Sequence, residues 1–532
     1  MQSETDALGQ RTSFTWNATG KRTVELNPLG ERRTFVYDAA DQLTAALDPL
    51  GQRTTQAYDL AGRLQAVENA LGHRSTTLYD AAGRQAAAVD PRGARTSTTY
   101  DAADRPVATE DPLGRRQTQV YDAAGQVTAR VDALGGRWTT VYDALGAPLA
   151  AVNPLGARTT RLFDARGLQY AAVDPLGYTQ TTLYDAARQV LAQIDAAGAA
   201  ATVLYDAAAR PVAQINLLGH RTTSHYDAAG QTVATEDALG HRQTRAYDLA
   251  GRLAASLNPL GARTSLLYNA AGRQIAQEDP LGRRVTTVYD AAGRVVAQQE
   301  GRGYRTSFVL DAVGQRLALV DARGSRHTSA YDPRGAEVSR EDPLGARTTF
   351  AYDPAGNVAV RVDGRGWPTT YAYDALDRET GRVYRDARRV AAAFDAAGRQ
   401  TRLEDSTGIT QYASDLADRA TGVSYPTGHV LTYLLDGEGN RQVLLDGAQR
   451  TTYTWDGLQR LAEIVNPLGE RTTVSYDALN RESRKQLANG LTVSHQYDAA
   501  GQELVLENRK ADGAGVGIYT ATYDAGVTRN CG

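Results

Sequence analysis

The sequence is short of the residues that carry most protein chemistry. Of 532 residues, one is cysteine (Cys531), one is methionine, six are phenylalanine and three are lysine. A single cysteine excludes a disulfide framework and a thiolate metal cluster. No run approaches eighteen apolar residues, so no membrane-spanning helix is predicted. The first six residues lack the basic and apolar regions of a signal peptide.

An excess of charge of one sign is also missing. Asp plus Glu number 61 against 58 for Lys plus Arg, and the formal net charge is −3. Such a balance gives no electrostatic footprint for nucleic acid or for an anionic membrane, so we expect neither partner. Almost all of the positive charge is arginine, which suits fixed bidentate ion pairs better than lysine does. A GC-rich genome would produce the same excess of arginine over lysine.

What the sequence has instead is one phrase, repeated every twenty-one residues. It reads Asp-Pro-Leu-Gly-x-Arg-Thr, then Tyr-Asp-Ala-Ala-Gly-Arg, then a short strand. A glycine stands at every twenty-first position from Gly9 to Gly366, and an aromatic residue follows seven positions later, with Leu310 as the exception. This period indicates a repeat architecture. We divide the chain into a regular array over residues 1–400 and degenerate repeats over 401–532.

Both phrases contain turn chemistry. An Asp at the first position can bond the backbone two residues on, Pro at the second fixes φ, and Gly at the fourth adopts positive φ. The turn glycines expected to be structural are Gly30, Gly51, Gly72, Gly93, Gly114, Gly135, Gly156 and Gly177. The aromatics expected to form a structural column are Tyr37, Tyr58, Tyr79, Tyr100, Tyr121, Tyr142, Tyr184, Tyr205, Tyr226 and Tyr247.

The segments between the turns have the usual length of a strand. A bulged hairpin loop would set Tyr58 opposite Leu64, and a four-residue loop would set Ala57 there; turn chemistry favours the bulge. The sequence therefore predicts an all-β fold of tandem 21-residue hairpins that form a long antiparallel ribbon. Along it, Tyr would stack on Tyr and Ala would form a second column. A twisted ribbon of this length coils.

The two phrases, in this spacing, resemble the YD repeats of Rhs proteins, a superfamily that includes wall-associated proteins, toxin-complex C components and teneurins. The resemblance covers residues 4–400 strictly and 401–524 loosely. It implies a hollow YD-repeat shell that sequesters a C-terminal toxin. Relatives that carry a toxin close this shell with a core segment that often cleaves itself through aspartates.

The end of the chain departs from that pattern. After Tyr523 and Asp524 neither the core nor a toxin domain follows, so we expect the chain to be truncated before the Rhs core. Self-cleavage and toxicity are therefore assigned to no residue. The change of composition after Gly526 would suit a truncated or frameshifted reading frame. The stretch from Asp512 to Gly517 looks like a loop insertion.

Residues of catalytic or metal-binding type follow the repeat and form no separate site. The same Asp stands at the same turn position in successive repeats, which indicates turn capping and not catalysis. Three of the seven histidines, His73, His220 and His241, take the exposed loop position after the turn glycine and the others lie elsewhere, whereas zinc needs converging ligands. Asp436 begins a stretch like an EF-hand loop, but Gly447 stands where the bidentate Glu belongs. We expect no enzyme activity, no catalytic residue, no metal and no cofactor.

Arginine follows the turn glycine by two positions in fifteen of eighteen repeats, as at Arg53 and Arg74. Such a column could attract acidic glycans or pair with the equally numerous acids, and the charge balance favours local pairing.

Two functions fit these observations. The first is a structural shell segment of an Rhs-type polymorphic toxin, which encloses or presents a C-terminal effector absent from this chain. Its partners would be the remainder of a larger Rhs polypeptide, the C-terminal toxin and secretion-system components. The second is a cell-surface adhesin or carbohydrate-binding repeat protein, whose partners would be surface glycans. Both predict a secreted or cell-surface location.

Overall fold

The fold consists of β-strands and the turns that join them. The computed structural model describes residues 2–524 and 529–531, and every regular element in that part of the chain is a strand. The strands are β1 (Gln2–Thr5), β2 (Arg11–Trp16), β3 (Arg22–Leu26), β4 (Arg32–Tyr37), β5 (Leu43–Leu47), β6 (Arg53–Tyr58), β7 (Leu64–Glu68), β8 (Arg74–Tyr79), β9 (Gln85–Val89), β10 (Arg95–Tyr100), β11 (Pro106–Glu110), β12 (Arg116–Tyr121), β13 (Val127–Val131), β14 (Arg137–Tyr142), β15 (Pro148–Val152), β16 (Arg158–Phe163), β17 (Gln169–Val173), β18 (Thr179–Tyr184), β19 (Val190–Ile194), β20 (Ala200–Tyr205), β21 (Pro211–Ile215), β22 (Arg221–Tyr226), β23 (Thr232–Glu236), β24 (Arg242–Tyr247), β25 (Leu253–Leu257), β26 (Arg263–Tyr268), β27 (Gln274–Glu278), β28 (Arg284–Tyr289), β29 (Val295–Gln299), β30 (Arg305–Leu310), β31 (Arg316–Val320), β32 (Arg326–Tyr331), β33 (Glu337–Glu341), β34 (Arg347–Tyr352), β35 (Val358–Val362), β36 (Pro368–Tyr373), β37 (Glu379–Tyr384), β38 (Arg389–Phe394), β39 (Gln400–Asp405), β40 (Gly408–Ser414), β41 (Ala420–Ser424), β42 (Val430–Leu435), β43 (Arg441–Asp446), β44 (Gln449–Trp455), β45 (Leu461–Val465), β46 (Arg471–Tyr476), β47 (Glu482–Gln486), β48 (Thr492–Tyr497), β49 (Glu503–Arg509), β50 (Gly515–Tyr523) and β51 (Arg529–Cys531).

The turns have the predicted chemistry. After β5, Gly51 N donates to Asp48 O at 2.9 Å, and the Asp48 carboxylate accepts from Leu50 N and Gln52 N, both at 2.9 Å. Gly51 has a φ of +79°, a left-handed conformation that costs an L-residue about 1–2 kcal/mol. The turn is therefore type I followed by a left-handed glycine.

The register of the hairpin is the bulged one. Tyr58 pairs with Leu64, and the register shifts between Ala57 and Tyr58. The bulge confirms the predicted loop type, because a four-residue loop would have placed Ala57 opposite Leu64.

The ribbon has two edges, each made of one kind of turn. We call the turns that end at Gly9 and at every twenty-first residue after it DPLG turns, and together they form the DPLG edge. The turns that follow the repeated aromatic are YD turns, and they form the YD edge. Every described strand pairs antiparallel with its sequence neighbours, from β1 with β2 to β50 with β51, in one open 51-stranded sheet. The long antiparallel ribbon is thus confirmed.

Turns far apart in sequence meet in space, so the ribbon coils on itself. Hydrogen bonds join Glu31 to Arg273 and Arg92 to Asp332, pairs that lie 242 and 240 residues apart, and further bonds span 242 and 259 residues. Divided by the repeat length, these separations give about twelve hairpins in each complete winding. We call a winding a coil; the first runs to about residue 260, and the second follows it.

The coil is hollow. About 24 strands at ~4.8 Å spacing give a circumference of ~115 Å and a diameter of ~37 Å. Side chains project ~5 Å from a sheet, half of the ~10 Å between packed sheets, so a lumen of ~25 Å remains. The all-β ribbon therefore forms part of a hollow YD-repeat shell, as predicted.

No thick hydrophobic core lies behind the sheet. Within residues 2–524 no large side chain is fully buried. The buried residues are mainly one alanine from each return strand; Ala66, for example, lies between Ala57 and Thr76 of the neighbouring strands. These alanines are Ala45, Ala66, Ala87, Ala108, Ala129, Ala150, Ala171, Ala192, Ala213, Ala234, Ala255, Ala276, Ala297 and Ala318. Ladder hydrogen bonds and cross-strand contacts take the place of a two-sheet core.

The degenerate region keeps the hairpin architecture with altered lengths. Asp405 pairs with Gly408 and Asp446 with Gln449, so two loops are shortened to two residues. The loop insertion expected at 512–517 is wrong, because β49 and β50 are longer strands joined by an ordinary turn in which Gly513 N donates to Lys510 O at 2.9 Å. The composition change after Gly526 lies outside the residues whose side chains are described.

Candidate functional site: the seam between two coils

The repeated tyrosines bridge successive hairpins through their hydroxyl groups. Each of the ten donates to a backbone carbonyl fifteen residues earlier, at 2.7–3.1 Å. The bonds are Tyr37 to Arg22, Tyr58 to Leu43, Tyr79 to Leu64, Tyr100 to Gln85, Tyr121 to Pro106, Tyr142 to Val127, Tyr184 to Gln169, Tyr205 to Val190, Tyr226 to Pro211 and Tyr247 to Thr232.

The column of rings is built differently from the expectation of Tyr on Tyr. The Arg63 guanidinium lies 4.4 Å from the centre of the Tyr79 ring, and Arg84 lies 4.6 Å from that of Tyr100. The expectation was wrong because a cation over the electron-rich face of a ring is attractive, whereas face-to-face stacking of rings is not preferred. Where the preceding YD turn ends in Arg, the column therefore alternates Tyr and Arg, as it does at Tyr79, Tyr100, Tyr121 and Tyr226 among the ten.

The same arginines hold the turn carboxylates. Arg63 Nε donates to Asp59 Oδ2 at 2.7 Å, and Asp59 Oδ1 accepts from Ala61 N and Arg63 N. The bond from the Arg63 side chain, followed by that from its backbone, holds the pKa of Asp59 below its usual value. The pKa of Asp80 is lowered by Arg84 in the same way. These carboxylates are fixed acceptors in a turn.

The eight expected turn glycines all have φ between +75° and +90°. A Cβ atom added at any of them would find no heavy atom within 4 Å. The requirement for glycine therefore comes from backbone conformation and not from lack of space.

The arginine column two positions after the DPLG glycine does not show the predicted local pairing. Within residues 2–524, Arg53, Arg74, Arg95, Arg116 and Arg158 are exposed and form no ion pair with an acid. Arg95 Nε instead donates to Ser97 Oγ at 3.2 Å. Ion pairing belongs mainly to the arginine that ends the YD turn, because the turn Asp lies within its reach.

The two coils meet along a seam, which we define as the contact between the DPLG edge of the first coil and the YD edge of the second. Leucine is the third residue of the DPLG turn in twelve of the fourteen repeats between residues 8 and 281. The leucines from Leu29 to Leu281 are 39–54% exposed, whereas Leu344, in a DPLG turn of the second coil, is 94% exposed. The seam therefore covers about half of each first-coil leucine.

One charged contact of the seam joins Glu31 to Arg273. Both terminal nitrogens of Arg273 bond the Glu31 carboxylate, one of them at 2.9 Å, and Asn27 Nδ2 donates to it at 2.6 Å. The bond from Arg273 holds the pKa of Glu31 below its ordinary value, against the opposing effect of burial.

A second charged contact joins two turns of identical sequence. Arg92 Nη1 donates to Asp332 Oδ2 at 3.0 Å, and Arg334 Nε lies 3.5 Å from Asp90 Oδ2. Asp332 is only 8% exposed. Its burial would raise its pKa, but backbone bonds from Ala336 and Arg334, with the Arg92 bond, hold the pKa below the usual value. The two ion pairs are reciprocal.

Further contacts continue the seam. Arg115 Nη1 lies 2.8 Å from Asp377 Oδ1. Ala196 N donates to Glu438 Oε1 at 2.6 Å, and the Arg419 guanidinium lies 5.7 Å from the centre of the Tyr178 ring. The DPLG turn at 174–177, for example, lies beside two YD turns of the next coil, at 415–418 and 436–439.

Sequence reasoning missed the seam because it treated leucine as part of a uniform phrase. A signal was present: the third DPLG residue changes after Leu281 to Arg302, Arg323, Leu344, Arg365 and Asp386. The YD turns change in the opposite direction, from mostly alanine in the first coil to a set of larger residues in the second. That set includes Val313, Arg334, Leu376, Glu438, Leu458 and Leu479. The repeat thus carries different residues on the two edges that the seam covers than on the two edges that remain free.

Among the described residues, no group of three or more His, Cys, Asp or Glu could hold a metal ion. In the same residues no helix is long and apolar enough to span a bilayer.

The fold and the seam define a class: a hollow shell wall built from coiled β-hairpin repeats. The sequence matches the RHS repeat family at residues 37–74, 79–116, 121–159, 226–263, 268–303, 289–326 and 331–366. These seven segments, which cover a little under half of the chain, are RHS repeats. No curated protein sequence matches it.

Solved structures share the fold. The crystal structure of TcdB2-TccC3-TEV aligns with a TM-score of 0.72 at 13% identity, over 97% of this chain and 36% of that one. TcdB2-TccC3 without its hypervariable C-terminal region gives 0.66 at 13% identity, over 97% and 40%. The Tc holotoxin pore of Photorhabdus luminescens gives 0.65 at 14% identity, over 98% and 40%. The chain therefore spans about two fifths of the length of these relatives.

Proposed function

We propose that the chain is a wall segment of an Rhs-type polymorphic toxin shell, which encloses or presents a C-terminal effector. The observation that carries the proposal is the seam, because a ribbon that closes on itself encloses a lumen. The strand spacing gives that lumen a diameter of ~25 Å. It therefore has room for an extended chain or for an α-helix, which is about 10–12 Å across with its side chains.

The partners in this proposal are the remainder of a larger Rhs polypeptide, its C-terminal toxin and secretion-system components. One of the similar structures is the Tc holotoxin pore of Photorhabdus luminescens, and this chain spans about two fifths of these structures, which supports a role as one part of a shell. A secreted or cell-surface location belongs to the same proposal.

The repeated residues have structural roles in this proposal. The ten tyrosines tie each hairpin to the previous one, and the eight glycines allow the left-handed position of each turn. The regular array of residues 1–400 and the degenerate repeats of 401–532 would then be successive parts of one wall.

Protection from protease tests the proposal. We would express the whole reading frame that contains this chain and insert a cleavage site for a specific protease into the segment that follows it. Enclosure predicts slow cleavage of that site until urea opens the shell. Cleavage as fast as in the isolated following segment would contradict enclosure. Saturable binding of the chain to arrayed glycans, without protection, would support an adhesin instead.

A further inference from the structure

A ribbon of near-identical hairpins can close in more than one register. A slip of the second coil by one hairpin moves every turn by ~10 Å and brings an equivalent turn to the same place. The leucines of the seam distinguish these registers poorly, since the third residue of the YD turn is apolar in most repeats of the second coil. The repeated sequence alone therefore specifies the register between the two coils poorly.

We propose that the charged seam contacts form a register key, which selects the hairpins that face each other and so fixes the size of the coil. The key consists of two sets: Glu31 with Arg273, and the turns at 90–93 and 332–335. Single charged or polar residues at otherwise apolar contacts are known to fix register in coiled coils.

The first set combines three departures from the repeat. Glu31 is the only acid that follows a DPLG glycine in the regular array. Asn269 is one of only two asparagines that replace the YD-turn aspartate there. Arg273, which ends that turn, therefore lacks the carboxylate that holds the equivalent arginines, and it bonds Glu31 across the seam. The unusual acid Glu31 thus supplies the carboxylate that Arg273 lacks in its own turn, although the two residues lie 242 positions apart in the sequence.

The second set is a matched pair of turns. The tetrapeptide Asp-Pro-Arg-Gly occurs twice in the chain, at 90–93 and at 332–335. These two copies are the turns that meet, with reciprocal ion pairs at 3.0 and 3.5 Å. Asp332 also lies 3.7 Å from Arg334 Nε, so this buried carboxylate loses both of its cationic partners when Arg92 and Arg334 are replaced together, which is costly.

Neighbouring registers cannot reproduce the two ion pairs of the second set. One hairpin to either side, Val313 and Ala355 stand where Arg334 stands in its turn. On the first coil, Leu71 and Leu113 stand where Arg92 stands. A slip would therefore place Arg334 against leucine.

The register also sets the width of the lumen. One hairpin more or fewer in each coil changes the circumference by ~10 Å, and hence the diameter by ~3 Å. The three ion pairs of the key thus decide what the wall can enclose.

The test replaces key residues by the residues that other repeats carry, so that the hairpins themselves are preserved. The key variant is Arg92→Leu with Arg334→Ala. The matched control is Arg323→Leu with Arg166→Ala, which makes the same two replacements in the same two kinds of turn, but on the free edges. Both variants lower the net charge equally. Adding Glu31→Gln to the key variant removes the first set as well.

Disulfide pairs report the register in a Cys531→Ser background. A Cβ atom on Gly457 would lie 3.0 Å from Leu218 Cδ2, so Leu218→Cys with Gly457→Cys reports the native register. Leu218→Cys with Gly437→Cys reports a slip of one hairpin, because Gly437 stands one repeat earlier on the YD edge. Disulfides form only when the two Cα atoms approach within about 7 Å.

We expect the native pair to form in the unmodified chain and in the control variant, with little of the slipped pair. In the key variant we expect the slipped pair to rise at least threefold at the expense of the native pair, and further when Glu31→Gln is added. Unchanged yields of both pairs would overturn the register key. Loss of both pairs with the β-sheet circular dichroism retained would also overturn it, provided that Leu218→Cys with Ala478→Cys, which reports a slip of one hairpin in the other direction, forms no disulfide either. The charged contacts would then hold the coils together without choosing a register.

Discussion

The same turn occurs on a covered edge in one half of the molecule and on a free edge in the other. At 174–177 and at 342–345 the sequence is Asp-Pro-Leu-Gly, and the glycine N–H donates to the aspartate carbonyl at 3.1 and 3.0 Å. The two backbones are alike, but Leu176 is 39% exposed and Leu344 is 94% exposed. Asp and Gly thus serve the hairpin itself, whereas leucine serves the neighbouring coil.

The largest effect should be common to both edges. Gly177 and Gly345 have φ of +90° and +83°, with open space around the position of a Cβ atom. Valine resists positive φ, so Gly177→Val and Gly345→Val should each destabilise their hairpin by about 2 kcal/mol. Hydrogen exchange of the peptides that contain each turn measures this loss.

Equal losses at the two edges are expected from a backbone cause. A much larger loss at Gly177 than at Gly345 would show that packing in the seam, and not φ, sets the cost.

The second effect should separate the two edges. Leu176→Ala removes a side chain that the seam half covers, and full burial of a leucine contributes about 1.5–3 kcal/mol. We expect Leu176→Ala to weaken the seam by about 1 kcal/mol and Leu344→Ala to change nothing measurable. Hydrogen exchange of the facing YD turns of the second coil reports the loss. Equal effects of the two variants would contradict the assignment of leucine to the seam.

The sequence predicted what depends on local chemistry. The bulged pairing of Tyr58 with Leu64 followed from turn types, and the coiled ribbon followed from the period. The sequence did not predict the contacts between parts of the chain that meet only after the ribbon has coiled. Arg63 lies over the Tyr79 ring, and Glu31 meets Arg273 from 242 residues away. Those contacts depend on the number of hairpins in a coil, which no single repeat contains.

A smaller effect should depend on pH at the covered edge. The Arg273 bond lowers the pKa of Glu31, so its ionised form stabilises the seam above about pH 4.3, the usual value for glutamate, and that contribution is lost as pH falls through the lowered pKa. We expect Glu31→Gln to cost about 0.5 kcal/mol at pH 7 and less at pH 3, where part of the carboxylate is protonated. Urea denaturation at the two pH values measures both differences.

The free edge supplies the control for this prediction. Arg365 bonds Asp363 at 2.8 Å with its side chain 69% exposed. Because that pair is solvated, Arg365→Leu should leave the urea midpoint unchanged at pH 7. A loss at pH 7 as large as that of Glu31→Gln would remove the distinction between the edges.

The smallest effect should come from Asp195→Asn on the covered edge. Asp195 Oδ1 accepts from Ala197 N at 3.0 Å and from Ala199 N at 2.8 Å. On the same edge Asn153 Oδ1 accepts the equivalent bonds from Leu155 N and Ala157 N, at 3.0 and 2.9 Å. An amide oxygen therefore caps this turn as a carboxylate does, and we expect a change below about 0.5 kcal/mol. A loss in hydrogen-exchange protection equal to that of the glycine variants would show that charge, and not the acceptor oxygen, is what the turn requires.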